Sequence, residues 1–317
     1  MLDIVVTHYK EPWETGRKFF DMLGCQRGIN FADIRVILVH DGTMPFEHEV
    51  FSRYPYNVTQ YAIPHGGVSA ARNCGLAHAT DTWIQFCDFD DMYTHAYALK
   101  QILSVMDKDV DYMWTPFHAE YMLDGKLCVK DMDTENAVFI HGKYFRRQWL
   151  LDNRITFPVG ISYSEDSAFC TIVNELAKPD RRGKITTKSP VYTWVYRPDS
   201  VSSDPENMQR NLCGFIERNF YVVEEFRRRG IPNRLMIGRM FMDAYHAFHQ
   251  ERRFPEEEQA FARRAGKYAR ELDEIGTQDM CKIFNAAGKI FRNKNMDYCE
   301  TVGEWIARIT GREAIAI

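Results

Sequence analysis

Short apolar runs alternate with amphipathic stretches through residue 93 of this chain. Leu2 to Thr7, Ile34 to Val39, Val58 to Ile63 and Trp83 to Cys87 have the length and the branched or aromatic content of buried strands. In the last of them Ile84 and Phe86 fall on one face and Trp83, Gln85 and Cys87 on the other. Between the strands lie two helical patterns. Glu14 to Leu23 turns Phe19, Phe20 and Leu23 inward, and Ala70 to Ala79 follows the turn-forming pair Gly66-Gly67, with Ser69 as a candidate cap. Alternating β and α segments predict a mostly parallel sheet with helices on both faces. Further on, the pattern predicts a helix over Ala96 to Met106, a strand over Val110 to Pro116, and a hairpin in FHAEYMLDGKLCVKD turning at Asp124-Gly125. Ser164-Glu165-Asp166 opens a helix whose apolar side is Phe169, Ile172, Val173 and Leu176, with Ser164 as its expected cap.

From Gln209 the pattern becomes helical throughout. Leu212, Phe215, Ile216, Phe220 and Val223 share one stripe, Gly230-Ile231-Pro232 stops that helix, and further helices follow from Asn233, after Pro255, and near Thr277 and Tyr298. The expected organisation is an α/β domain over residues 1–208 and a helical bundle over 209–317. The bundle carries no cluster of catalytic residue types, so it is expected to cap the acceptor side, join subunits into a homo-oligomer or meet a partner. Its arginine runs, at Arg227 to Arg229 and at Arg252-Arg253, read as a solvated face or as contacts to an anionic acceptor.

Chemistry gathers at the end of the fourth strand, where Asp88, Asp90 and Asp91 directly follow the last apolar residue. Open α/β sheets place their ligands outside the carboxyl ends of strands. Carboxylates crowded there suit a hard divalent ion such as Mg²⁺ or Mn²⁺ that keeps positions open for a diphosphate. The preceding helix delivers Arg72 and Asn73 beside them. There is no G-x-G-x-x-G and no G-x-x-x-x-G-K-[ST], which argues against a dinucleotide-binding domain and a P-loop.

Composition narrows the reading further. A 317-residue chain that is 45% hydrophobic is globular, and a net charge of -4 argues against a nucleic-acid backbone as main partner. The helical tail is mildly basic, with 19 Lys and Arg against 16 Asp and Glu from Gln209 onward. Eight cysteines show no C-x-x-C pairing and read as small buried hydrophobes of a reducing compartment. The amino terminus runs straight into a strand, and no apolar run is long enough to cross a bilayer. A cytoplasmic location, peripheral at most to a membrane, is therefore expected.

Six stretches taken together, VVTHYKE, VHDGT, GGVSAARNCGL, IQFCDFDD, YSEDSAF and YTWVYRPDSVS, span residues 1 to about 203 and resemble the inverting glycosyltransferases of family 2, which have the GT-A fold. The resemblance implies a UDP-sugar donor, Mn²⁺ or Mg²⁺, and an acceptor hydroxyl on a glycan or envelope polymer. It implies that Thr7, Tyr9 and Glu11 line the nucleoside loop and that Asp41 accepts the uracil N3 hydrogen. Arg72 would lie beside the base and pyrophosphate, and Asp88 would face the ribose. Asp90 and Asp91 become metal ligands, with their order left open. Arg197 and Ser200 belong to a loop closing on the diphosphate, Asp166 becomes the general base, and Glu165 its orienting partner or an acceptor contact. His141 reads either as structural or as lining the sugar pocket. His40 stands where many members have another Asp, His65 where many have Asn, and Thr7-His8 where Pro-Thr is common. Two other functions compete: a transferase acting on a modified nucleic-acid base, and a nucleotide-sugar binder without catalysis.

Overall fold

The computed structural model describes residues 1–106, 109–132, 138–187, 189–198, 208–250, 254–290 and 298–313. The chain divides into two compact units, Met1–Asp204 and Pro205–Ile317. In the first unit β1 (Leu2–His8), β2 (Ile34–Asp41), β3 (Asn57–Ile63) and β4 (Trp83–Asp88) pair in parallel in the order β4-β1-β2-β3. β1 and β2 are close to uniformly apolar because both of their faces are covered, the usual condition of central parallel strands. α1 (Trp13–Gly24) follows β1, and α2 (Val68–His78) leads from β3 back across the sheet to β4. That crossing makes β1 the place where strand order reverses. Ligands of open α/β sheets bind beside such a reversal.

Register decides what stands there. Thr7 pairs with Val39 on one side and Asp88 on the other, and His8 pairs with His40. The carboxyl ends of three strands thus present Thr7, His8, His40, Asp41 and Asp88 in one row. Gly67, at φ +83°, takes the left-handed turn that enters α2. Ser69 lies inside the helix rather than capping it. α2 packs closely on the sheet at Gly75, where an added Cβ would stand 2.2 Å from Val5 Cγ1.

The other half of the sheet is less regular than a simple βα alternation predicts. Beyond β4 come β9 (Lys143–Arg146), β6 (Tyr112–Trp114) and β10 (Arg182–Lys184), and β9 runs against both of its neighbours. A second, four-stranded sheet has the order β5-β11-β7-β8, built from β5 (Met92–Tyr93), β7 (Phe117–Leu123), β8 (Lys126–Met132) and β11 (Tyr192–Trp194). The hairpin turns at Asp124-Gly125 as expected, with φ of +50° and +73°, the pair of left-handed residues that a two-residue hairpin favours. The helix expected over Ala96 to Met106 shortens to α3 (Ala98–Leu103). α4 (Arg147–Asp152) and α5 (Glu165–Leu176) complete the unit. Ser164 precedes α5 with φ +64° and makes no side-chain cap.

The second unit contains α6 (Met208–Arg228), α7 (Arg234–Phe248), α8 (Pro255–Ala265), a 3-10 segment (Gly266–Glu274), α9 (Thr277–Ile290) and α10 (Val302–Thr310). Its core gathers Leu212, Ile216, Phe220, Phe241, Phe261, Tyr268 and Trp305. Gly230 ends α6 in the left-handed conformation, and the Ile231 N–H closes back on the Phe226 carbonyl at 2.8 Å. Arg228 and Arg229 pair with Glu225, and Arg227 with Glu271, so this run of arginines is held within the unit. All eight cysteines are free, but only Cys87 and Cys170 are buried, so the expectation of eight buried cysteines fails for the rest. No described helix is long and apolar enough to cross a membrane.

Gly75→Ala should lower stability by about 1–3 kcal/mol, because the added methyl must displace Val5 in a packed core. Urea denaturation checks this, and an unchanged midpoint would show that α2 can lift off β1 without strain.

Candidate active site

Seven carboxylates and two arginines gather at the site. Arg72 is 3% exposed, on the buried face of α2. It donates from one terminal nitrogen to Asp88 Oδ1 at 2.9 Å and from the other to Glu165 Oε1 at 2.8 Å. The end of β4 and the first turn of α5 therefore meet on one guanidinium. Burial alone would raise Asp88, but Arg72, with His141 and the Thr7 hydroxyl, outweighs it and the carboxyl is held below its ordinary value. The Thr7 hydroxyl adds a bond to the same oxygen at 3.3 Å.

Asn73 fixes the approach to α5. Its side-chain amide accepts from the Phe157 N–H at 2.8 Å and donates to the Phe157 carbonyl at 2.9 Å. Phe157 in turn stacks on Phe169 of α5, ring centroids 4.0 Å apart and 3° from parallel. Sequence reading found Asn73 but not this task, because Phe157 carries no motif.

Asp166 stands beside Glu165 in the first turn of α5 and accepts from the Ser167 N–H at 2.7 Å. Burial, then the neighbouring Glu165 charge, push its carboxyl up to about 7, against the pull of Arg72. The helix dipole by itself favours the ionised form of an acid in a first turn. Desolvation and the adjacent acid are stronger here, which leaves a group poised to exchange a proton near neutrality.

The three aspartates after β4 separate by environment. Asp90 faces outward with Arg197, whose Nε lies 2.7 Å from its Oδ2, and burial raises it to about 6. Asp91 points inward and is fully buried. It accepts from the Tyr192 hydroxyl at 2.7 Å and the Val195 N–H at 3.0 Å, and burial raises its pKa well above the ordinary range. Asp88, Asp91 and His141 bring ligand atoms within 4.8 Å of one another. Burial lowers His141 to about 4, so it is a neutral imidazole, and its Nδ1, 3.5 Å from Asp91 Oδ2, has no hydrogen-bond partner among the described residues. Two carboxylates and a neutral imidazole are a donor set that suits Mn²⁺.

The nucleoside-side residues also converge. Tyr9, 38% exposed, stacks on His65 at 4.5 Å. Glu11 accepts from the Tyr9 N–H at 2.8 Å and lies 3.6 Å from Arg197. Asp41 is already well supplied with donors: the N–H groups of Gly66 and Gly67 at 2.7 and 3.0 Å and His65 Nδ1 at 2.8 Å. It anchors the glycine turn. Ser200 lies outside the described residues.

The model of the glycosyl transferase family 2 matches residues 3–161, about half of the chain. The chain belongs to that family. Among family relatives, 101 residues are 35% identical to the minor teichoic acid biosynthesis protein GgaB of Bacillus subtilis (strain 168), over 29% of this chain and 11% of that protein. The chain spans less than half the length of the curated relatives it matches, from 11% to 46%. Its backbone is similar to that of S. aureus TarS, at 16% identity over 92% of this chain and 53% of that one, with a TM-score of 0.62. TarS 1-349 in complex with UDP-GlcNAc gives 17% identity, coverage of 92% and 91%, and a TM-score of 0.53. The mannosyltransferase PcManGT from Pyrobaculum calidifontis, in complex with GDP-Man and Mn²⁺, gives 14% identity, coverage of 92% and 80%, and 0.51. At these identities the structural likeness establishes the GT-A fold.

Arg72→Met should destabilise this family 2 domain by about 3–5 kcal/mol at neutral pH, since it strands two carboxylates beside an apolar side chain. Asp88 is depressed in the folded protein, so its contribution is present above the ordinary carboxylate range and lost as pH falls. The deficit of the variant should therefore shrink in acid. Denaturation midpoints of both proteins across pH check this, and a pH-independent deficit would mean that packing, not charge, is what Arg72 supplies.

Proposed function

We propose that this protein transfers a sugar, N-acetylglucosamine first among candidates, from a UDP-sugar to a hydroxyl of an envelope polymer of the teichoic-acid kind, inverting the anomeric centre. The observation that carries the reading is the Arg72 bridge, which ties a donor-side acid, Asp88, to the helix turn that bears Asp166. The UDP-GlcNAc complex of a similar fold and the place of GgaB in minor teichoic acid biosynthesis support the choice of donor and acceptor.

In this reading Tyr9, Glu11 and Thr7 hold the nucleoside, and Asp41 reads uracil through its remaining lone pairs while keeping the glycine turn in place. Asp88 meets the ribose. A divalent ion would be held chiefly by Asp90, with Asp91 and Asp88 behind it and His141 as an available nitrogen. When bound it would supply positive charge to the diphosphate oxygens. Asp91 is the weaker ligand because its oxygens already accept from Tyr192 and Val195. Arg197 would neutralise charge on the leaving group; Ser200, expected to share that task, lies outside the described residues.

Asp166 takes the proton from the acceptor hydroxyl. The hydroxyl oxygen attacks C1 from the face opposite the diphosphate, and the C1–O bond breaks with its electron pair leaving on UDP. Glu165, held by Arg72, keeps Asp166 oriented and raises its basicity. A single displacement of this kind requires no covalent nucleophile.

Three outcomes test this. UDP and UDP-GlcNAc with Mn²⁺ should raise the melting temperature, GDP less so, and the gain should vanish in Asp90→Asn; no shift with any uridine nucleotide would sink the donor assignment. Asp166→Asn should slow sugar transfer to a teichoic-acid acceptor, followed as UDP release, by about 10²- to 10⁴-fold while UDP still binds. Because Asp166 must be unprotonated to act, wild-type kcat/KM should climb as pH rises towards about 7 and level off above it. A flat profile across that interval would remove Asp166 from the role.

A further inference from the structure

His8 ends β1 and His40 stands opposite it on β2, the two being 4% and 0% exposed. Their Nδ1 atoms are 2.8 Å apart. The outer nitrogens are equally constrained: His8 Nε2 lies 2.8 Å from the backbone oxygen of Glu11, and His40 Nε2 lies 2.9 Å from Gln60 Oε1. The orientation of the Gln60 amide is set by Phe46, whose carbonyl accepts from Gln60 Nε2 at 3.0 Å and whose N–H donates to Gln60 Oε1 at 3.0 Å. Both Nε2 atoms therefore face oxygens that only accept, and each must carry a hydrogen. The Nδ1 contact requires one more. Two neutral imidazoles bring two hydrogens between them, and this geometry uses three.

We propose that His8 and His40 act as one unit that keeps an extra proton in the folded protein, and that this proton fixes the Tyr9–Glu11 loop in the shape that receives the nucleoside. The second half rests on the donor reading above; the first does not.

The location of the proton follows from burial. His40 is driven down to about 4 by desolvation, so it is the neutral acceptor of the bridge and His8 is the donor. The counter-charge is Glu11, whose Oε2 lies 4.0 Å from His8 Nε2. The other charged groups around the pair are engaged elsewhere. Asp41, next to His40 on β2, binds Gly66, Gly67 and His65; Asp88, beyond Thr7, is held by Arg72; and Asp90 is paired with Arg197, which also approaches Glu11. β3 contributes only the neutral Gln60. Phe46 and Phe89 close over the His8 ring at 4.7 Å each.

The loop depends on this anchor. Lys10 holds φ +62°, a left-handed conformation for a residue with a side chain, between the Tyr9 N–H that donates to the Glu11 carboxylate and the Glu11 carbonyl that His8 holds. When the third proton leaves as pH rises, one of the three bonds must open. The Thr43 hydroxyl, 3.3 Å from His8 Nδ1, is in reach to donate to the bared nitrogen and draw the ring away from His40.

The test uses the whole protein labelled with ¹⁵N-histidine, without nucleotide. Near neutral pH we expect a ¹⁵N–¹⁵N coupling across the Nδ1–H···Nδ1 bridge and a proton on both Nε2 atoms of the coupled rings. The coupling should vanish as pH is raised, with the Tyr9 and Glu11 amide signals moving at the same midpoint and UDP affinity falling about tenfold over that interval. His40→Gln should abolish both the coupling and the pH response of those amides; if that variant does not fold, the wild-type coupling decides. One proton per ring throughout, or a coupling lost without movement at Tyr9 and Glu11, overturns the proposal. Since the proton count needs no ligand, a protein that fails to bind UDP refutes the donor reading and leaves this count to its own measurement.

Discussion

Everything in the candidate site depends on one buried cation. Placing a guanidinium at 3% exposure is costly unless its charge is answered at once, and Arg72 is answered twice, by Asp88 and by Glu165. A buried pair of this sort contributes more to orientation than to net stability. It fixes the direction of two side chains that come from distant parts of the sequence, and with them the end of β4 and the start of α5. The aromatic stack of Phe157 on Phe169, tied to Asn73, does the same for the backbone that leads into α5.

The acids around that cation show how one residue type can be given different tasks by its surroundings. Asp88 is kept ionised by Arg72, and Asp91, sealed behind the strand end, takes on a proton readily and orders Tyr192 and Val195. Asp90 and Asp166 lie between these extremes, at about 6 and about 7. Groups poised in that interval can change charge state at little cost, which is what binding a cation and accepting a proton both require.

Much of this was legible in the sequence because it is local. The βα alternation, the glycine turn before α2, the acids after β4 and the acids opening α5 all declare themselves within short windows, and the strand-end rule places the first three together. What escaped was set by partners far away. Asp91 reads like its neighbours until Tyr192, 101 residues further along, claims it. Asp41 looks exposed at a turn, yet Gly66, Gly67 and His65 all donate to it. β9 has no alternating pattern to betray it, since both of its faces are covered, and its reversed direction depends on β4 and β6 rather than on its own residues. The pairing of His8 with His40 is likewise a product of register between β1 and β2.

The reversed strand has a consequence for how the molecule is assembled. As the chain leaves the ribosome, β1 to β4 can pair as soon as Asp88 has emerged, but the far edge of β4 then offers a row of open amides and carbonyls. β6 cannot close it, because β9 must come between them. Until Lys143–Arg146 arrives and inserts, the most apolar part of the sheet carries an unprotected border of the kind that recruits other chains. The site is thus complete only after β9 has covered β4, since its last pieces, α5 and β11, follow β9 in the chain, β11 entering the second sheet between β5 and β7.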